Sequence, residues 1–114
     1  MGEKQAGLVQ GTLDMLILKT LALEPMHGFG IGQRIEQISR GVFKVNAGSL
    51  FPAFRRLERD GVIHGEWRAT ENNRRAKYYV LTDAGRRKLK SEAKEWEAQT
   101  TAITRILRAS LGEL

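Results

Sequence analysis

Cysteine is absent from the 114-residue sequence. That excludes disulfides, iron–sulfur clusters and thiolate zinc sites, and leaves packing alone to hold the fold. Histidine occurs only as His27 and His64, too isolated to assemble a metal site with the ligand spacing such sites need. Long apolar runs are missing too. Met15-Leu16-Ile17-Leu18, the longest, is cut by Lys19 and falls far short of the roughly 20 residues of a membrane-spanning helix, so no membrane partner is expected. Met1-Gly2-Glu3-Lys4-Gln5 lacks the basic stretch and apolar core of a secretory signal, and a cytoplasmic location is expected. Linkers rich in proline or serine, repeats and low-complexity blocks are also lacking, which points to one compact unit. No Ser/His/Asp or paired-carboxylate arrangement appears, nor a glycine-rich loop after a strand, so neither an enzyme nor a cofactor is expected.

Positive charge, by contrast, is plentiful. Lys and Arg number 19 against 13 Asp and Glu, a net +6, and the excess is uneven. Residues 1–60 carry +2, residues 61–90 carry +5 and residues 91–114 carry −1. A basic window of this kind suits a polyanionic partner, although a solvated Lys/Arg-rich surface would have the same composition.

Four helices and a hairpin emerge along the chain. Thr12 is placed to cap a first helix through Leu13, Leu16, Ile17 and Leu21, with Met15 and Leu18 widening its apolar face until it suits the centre of a core. Pro25-Met26-His27-Gly28 breaks that pattern. Ile31, Ile35 and Ile38 then recur at helical spacing, giving an amphipathic second helix that ends near Gly41. A third helix follows the N-cap residue Asn46 and runs to about Asp60, where Gly61 stops it. Its wheel puts Leu50, Phe54 and Leu57 in one sector and Gly48, Pro52, Arg55 and Arg59 opposite, with Ser49 and Arg56 flanking that outer face. Pro52 lacks a backbone donor, which predicts a helix that starts late or bends early. Val62–Arg68 and Arg75–Leu81 read as two antiparallel strands, the first with Ile63 and Trp67 on one face, and Glu71-Asn72-Asn73-Arg74 as their connecting loop. Thr82 caps a final helix in which Leu89, Ala93, Trp96, Thr100, Ile103, Leu107 and Ser110 alternate at heptad spacing. About thirty residues of helix would extend about 45 Å.

This order predicts a mainly α fold with a small β-hairpin: a winged helix-turn-helix over residues 1–82, followed by a long C-terminal dimerisation helix over residues 83–114. In such a fold the third helix enters the major groove and the wing follows the DNA backbone. The candidate DNA contacts are therefore Asn46, Gly48, Ser49, Phe51, Pro52, Arg55, Arg56 and Arg59 on the third helix, with Arg74, Arg75 and Lys77 clustered at the wing. Arg55 and Arg56 can instead pair with Glu58 or Asp60. The heptad stripe nominates Leu89, Ala93, Trp96, Thr100, Ile103 and Leu107 as a homodimer interface; folding back onto its own domain is the competing reading.

The chain also resembles the PadR family of bacterial transcriptional regulators over nearly its whole length. The resemblance rests on Gln10-Gly11-Thr12-Leu13, His27-Gly28-Phe29-Gly30-Ile31, Gly48-Ser49-Leu50-Phe51-Pro52 and Asn73-Arg74-Arg75-Ala76-Lys77-Tyr78-Tyr79-Val80-Leu81-Thr82. In length it is similar to the short-tailed branch, which implies a dimer held by one long terminal helix. Phe29 and Phe51 stand where the family usually has tyrosine, so any phenolic contact at these positions is lost. The function expected is that of a homodimeric repressor on double-stranded DNA, and two third helices related by a two-fold axis predict a near-palindromic operator. The resemblance implies that some short members bind planar aromatic compounds between paired tryptophans, which makes Trp96 a candidate effector site; otherwise it reads as interface core. A winged-helix module that docks proteins without binding DNA is the alternative function; it would have no need of a basic wing.

Overall fold

The computed structural model describes residues 10–113. The readings made on Met1–Gln5, and the outer limits of the two expected units, lie outside that range. Helix α1 (Gln10–Leu23) leads into a two-residue strand β1 (Met26–His27), helix α2 (Gly28–Ile38) and helix α3 (Ala47–Arg59). Strands β2 (Ile63–Ala69) and β3 (Arg75–Leu81), helix α4 (Asp83–Leu107) and a closing 3-10 turn (Leu111–Glu113) complete the chain.

Apolar residues go almost all the way round α1, so it is buried by elements on several sides. Leu13, Ile17, Leu18 and Leu21 are core residues, and the helix touches α2, α3, α4 and β3. Buried Thr20 satisfies its hydroxyl by donating to the Leu16 carbonyl at 2.8 Å. Thr12 is not the cap of this helix: α1 is already formed at Gln10. A capping preference is weak where the preceding backbone can also turn helical.

The sheet has three strands in the order β1-β3-β2, all antiparallel, where the sequence predicts two. Pro25 ends the α1 turn, and Met26 and His27 then lie opposite Tyr79 and Tyr78. Two residues are too few to show the alternation by which strands are recognised. The hairpin itself pairs Ile63 with Leu81 through to Ala69 with Arg75. Its loop closes with Asn73 in the left-handed region at φ 61°, a conformation asparagine tolerates well.

Helix α3 begins and ends where its capping residues place it. Asn46 accepts from the Ser49 amide at 3.0 Å, and Gly61 leaves the helix at φ 75°. Leu50, Ala53, Phe54 and Leu57 are buried. Pro52 does not delay the start; it sits inside the helix. The carbonyl it leaves without an intrahelical donor is that of Gly48, on the exposed side, where water can serve it. Packing of the opposite face outweighs the lost bond.

Helix α4 is 25 residues, shorter than expected, and Ser110 follows it rather than extending its stripe. Thr82 caps it, accepting from the Gly85 amide at 3.0 Å while donating to the Gly61 carbonyl at 2.8 Å. Gly85 is required by contact: a Cβ there would lie 2.1 Å from the Val62 carbonyl oxygen. The N-terminal half of α4, including Leu89, packs against the core, whereas Ile103, Ile106, Leu107 and Leu111 are exposed. The long helix stretches the molecule to 65 × 33 × 21 Å.

Candidate nucleic-acid interface

The outer face of α3 is open. Asn46, Gly48, Ser49, Arg55 and Arg59 are exposed and Pro52 is half-buried, because the opposite sector supplies the core. Asn46 spends its side-chain oxygen on the cap. Arg55 makes no ion pair among the described residues, and Arg59 only a long one, 3.8 Å, with its neighbour Asp60. Neither Arg55 nor Arg56 pairs with Glu58 or Asp60. Arg56 instead reaches Asp14 on α1 at 2.8 Å and is half-buried there, so the structure does not bring it to the open face with Arg55 and Arg59.

The wing separates the three cations that the sequence groups together. Arg74 and Arg75 lie exposed at the loop end of the hairpin, and the Arg75 guanidinium stands over the Trp67 ring, 5.6 Å from its centroid. Trp67 shares the Ile63 face but is 59% exposed, since that end of the hairpin projects beyond the core. Lys77 sits lower down, opposite Trp67 in the ladder. Its ammonium donates to Glu58 of α3 at 3.2 Å and stands over the Tyr79 ring. Lys77 thus ties the wing to α3.

Phe51 is half-buried within a run of ring contacts. Phe29 meets it edge-on at 5.6 Å, Phe51 meets Phe54 at 5.3 Å, and Phe54 meets Tyr79 at 4.7 Å. Phe29, at the outer end, is 67% exposed and lines a cleft with Phe51, Arg75 and Lys77. Burial pushes the Tyr79 phenol above its ordinary value.

Of the expected interface on α4, Leu89 and Ala93 face a groove against Met15, Leu16 and Lys19 of α1, so this part of the stripe also serves the chain's own packing. Trp96 is 45% exposed. It lies between two grooves, of about 230 Å³ beside Thr12, Glu92, Glu95 and Gln99 and about 320 Å³ beside Lys19, Lys90 and Glu97. Thr100 is half-buried, while Ile103 and Leu107 are exposed in the single chain.

Two residues of consequence escape the pattern reading. Glu58 holds the wing through Lys77, and Asp14 holds Arg56. Asp14 is the one acidic residue in α1, and a lone carboxylate in an apolar helix is the signal that could have marked it, because buried charges are found paired. Burial raises its pKa above the ordinary carboxylate value, outweighing the Arg56 guanidinium. Nearby, a hydrogen bond to Glu92 holds the Lys88 ammonium above its usual value.

Three helices, a wing pairing against the third of them, and a terminal helix running out from the domain define a winged helix-turn-helix protein of the transcription-regulator type. The profile of the transcriptional regulator PadR-like family matches residues 17–91. A transcriptional regulator from Clostridium thermocellum is 27% identical, with a TM-score of 0.79 over 87% of this chain and 96% of that one. A PadR family regulator from Eggerthella lenta is 30% identical, with a TM-score of 0.74 over 89% of this chain and 86% of its own. A transcriptional regulator of Mycobacterium tuberculosis is 33% identical over 71% of this chain and 72% of that protein. The chain belongs to the PadR-like family of transcriptional regulators, a family of regulators and not of enzymes. Among the described residues no helix is long and apolar enough to cross a membrane.

Proposed function

We propose that two copies of this chain, joined along α4, bind a near-palindromic operator in duplex DNA and act there as a repressor that a small molecule releases. The observation that carries the reading is a set of exposed cations without a buried counter-ion. Arg55 and Arg59 on the open side of α3, and Arg74 and Arg75 on the wing, have no buried partner. Such groups gain from phosphate, and Gly48 and Ser49 beside them leave room for a close approach to base edges. A two-fold arrangement would set two α3 helices in successive major grooves, about 34 Å apart.

Titration with duplex DNA across a salt series tests this. Each phosphate contact steepens the dependence of log K on log salt by about 0.9, so Arg74→Ala/Arg75→Ala, which removes two cations from each of the two copies, should flatten the slope by up to about 3.6 while weakening binding to all sequences alike. A salt-insensitive response would favour the protein-docking alternative.

Release by an effector rests on Trp96. A half-exposed indole flanked by Glu92 and Glu95 on one side suits a flat aromatic cation, by stacking and by charge. An effector that binds one dimer geometry better than another changes operator affinity by that difference. In a Trp67→Phe variant, an acridine cation should quench the remaining tryptophan and weaken operator binding. An unchanged emission across a set of such cations removes the effector from the proposal.

A further inference from the structure

Arg56 is the one arginine of α3 turned toward the protein. Its guanidinium donates to the Asp14 carboxylate at 2.8 Å, and the two side chains keep 26% and 14% exposure. Helix α4 meets the same corner. Lys88 Nζ donates to Glu92 Oε2 at 2.8 Å, and both charges act on Asp14, Glu92 as a like charge and Lys88 as an opposite one. Lys88 also faces Asp60, the C-cap of α3. The second carboxylate oxygen of Glu92, Oε1, is buried without a hydrogen-bond partner. Three helices therefore meet at four partly buried charges, Arg56, Asp14, Lys88 and Glu92, with exposed Asp60 at the edge, and one acceptor among them is unsatisfied. Interactions there are less screened than at the surface and more sensitive to displacement.

The position of Arg56 on its helix makes this pairing consequential. It lies about 100° round from Arg55 and about 60° from Arg59, so its long side chain can reach either α1 or the open face. Asp14 decides between them.

We propose that Asp14 is a positioning residue for the recognition helix: it withholds Arg56 from the DNA face and fixes the roll of α3 against α1, and the Lys88–Glu92 pair of α4 sets how firmly it holds. The inference rests on the DNA-binding reading above and adds to it a route by which a shift of the long helix changes the charge presented by α3. Loss of the grip would add one cation to the face that touches phosphate. Binding to any sequence would tighten and discrimination would fall.

The test uses the full chain with a mixed-sequence duplex across a salt series. Arg56→Ala should leave the slope of log K against log salt at the wild-type value. Asp14→Asn should steepen it by up to about 1.8, about 0.9 for each copy, and Asp14→Asn/Arg56→Ala should restore it. A slope flattened by about 1.8 in Arg56→Ala, about 0.9 for each copy, with wild-type binding intact, means that Arg56 already sits on phosphate and overturns this inference alone. If circular dichroism shows Asp14→Asn unfolded, Arg56→Ala carries the decision.

A wild-type chain that binds no duplex at any salt overturns the proposed function and the DNA step with it. The junction is then judged by the Arg56 side-chain resonances in the NMR spectrum of the labelled chain. They should be protected in the wild type and solvent-like in Asp14→Asn; a solvent-like signal in the wild type overturns the pairing. The α4 contribution is read from the same signal against pH. Lys88→Met leaves Asp14 facing Glu92 without the α4 cation, so the acid release of Arg56 should move to higher pH. Glu92→Gln should move it lower. Shifts of the opposite sign, or none, remove α4 from the mechanism.

Discussion

At the scale of single residues, Asp14 shows how burial and pairing compete. Its carboxylate has an arginine at 2.8 Å, yet desolvation prevails and the pKa is raised. The folded chain therefore holds this proton more tightly than the unfolded chain, whose carboxyl titrates near 3.9. The stability linked to that proton is fully present below the unfolded value and is lost as pH rises through the raised one. Urea unfolding should accordingly show a decline in stability as pH rises from the ordinary carboxylate value, about 3.9, through the raised one, and Asp14→Asn should lack it; parallel pH profiles for the two proteins would refute it. Neighbouring positions show where pattern reading stops. Arg55 and Arg56 are adjacent and identical in chemistry, and a helical wheel sets both near the outer face. Only the approach of α1 separates them, bringing Asp14 to one and leaving the other in solvent.

The elements were legible wherever a local device defines them. Asn46, Gly61 and Thr82 mark boundaries through bonds or backbone angles that involve residues a few positions away, and these boundaries agree with the structure. Strand β1 was not legible. Its two residues exist as a strand only because Tyr78 and Tyr79, some fifty positions later, pair with them. The loss of a common tip for Lys77 has the same kind of origin, since Glu58 on α3 draws it toward the wing base. Thr82 joins two elements with one hydroxyl, closing the end of α3 and the start of α4. Replacing it with alanine removes both bonds and should cost about 1–3 kcal/mol in chemical unfolding, while serine retains most of the stability. A loss equal for alanine and serine would assign the effect to the methyl group instead.

For the whole molecule, the uncovered end of α4 is the surface on which assembly turns. Ile103, Ile106, Leu107 and Leu111 lie at or above 54% exposure beyond the reach of the domain core. A helix left in this state gains from an apolar partner surface. Ile103→Asp/Leu107→Asp should leave each domain folded, reduce the mass seen by light scattering to that of one chain, and weaken operator binding at least tenfold because the two heads no longer bind together. Unchanged mass would show that the stripe does not join subunits.

The sequence by itself determined the four helices, the caps at Asn46 and Thr82, the hairpin and the concentration of basic residues, because each depends on spacing and on interactions within a few positions. Tertiary structure decided which of those basic groups are free. Asp14 and Glu58 reach Arg56 and Lys77 only after separate elements pack together. The electrostatics of the face that α3 and the wing present are thus set by contacts between segments far apart in the chain.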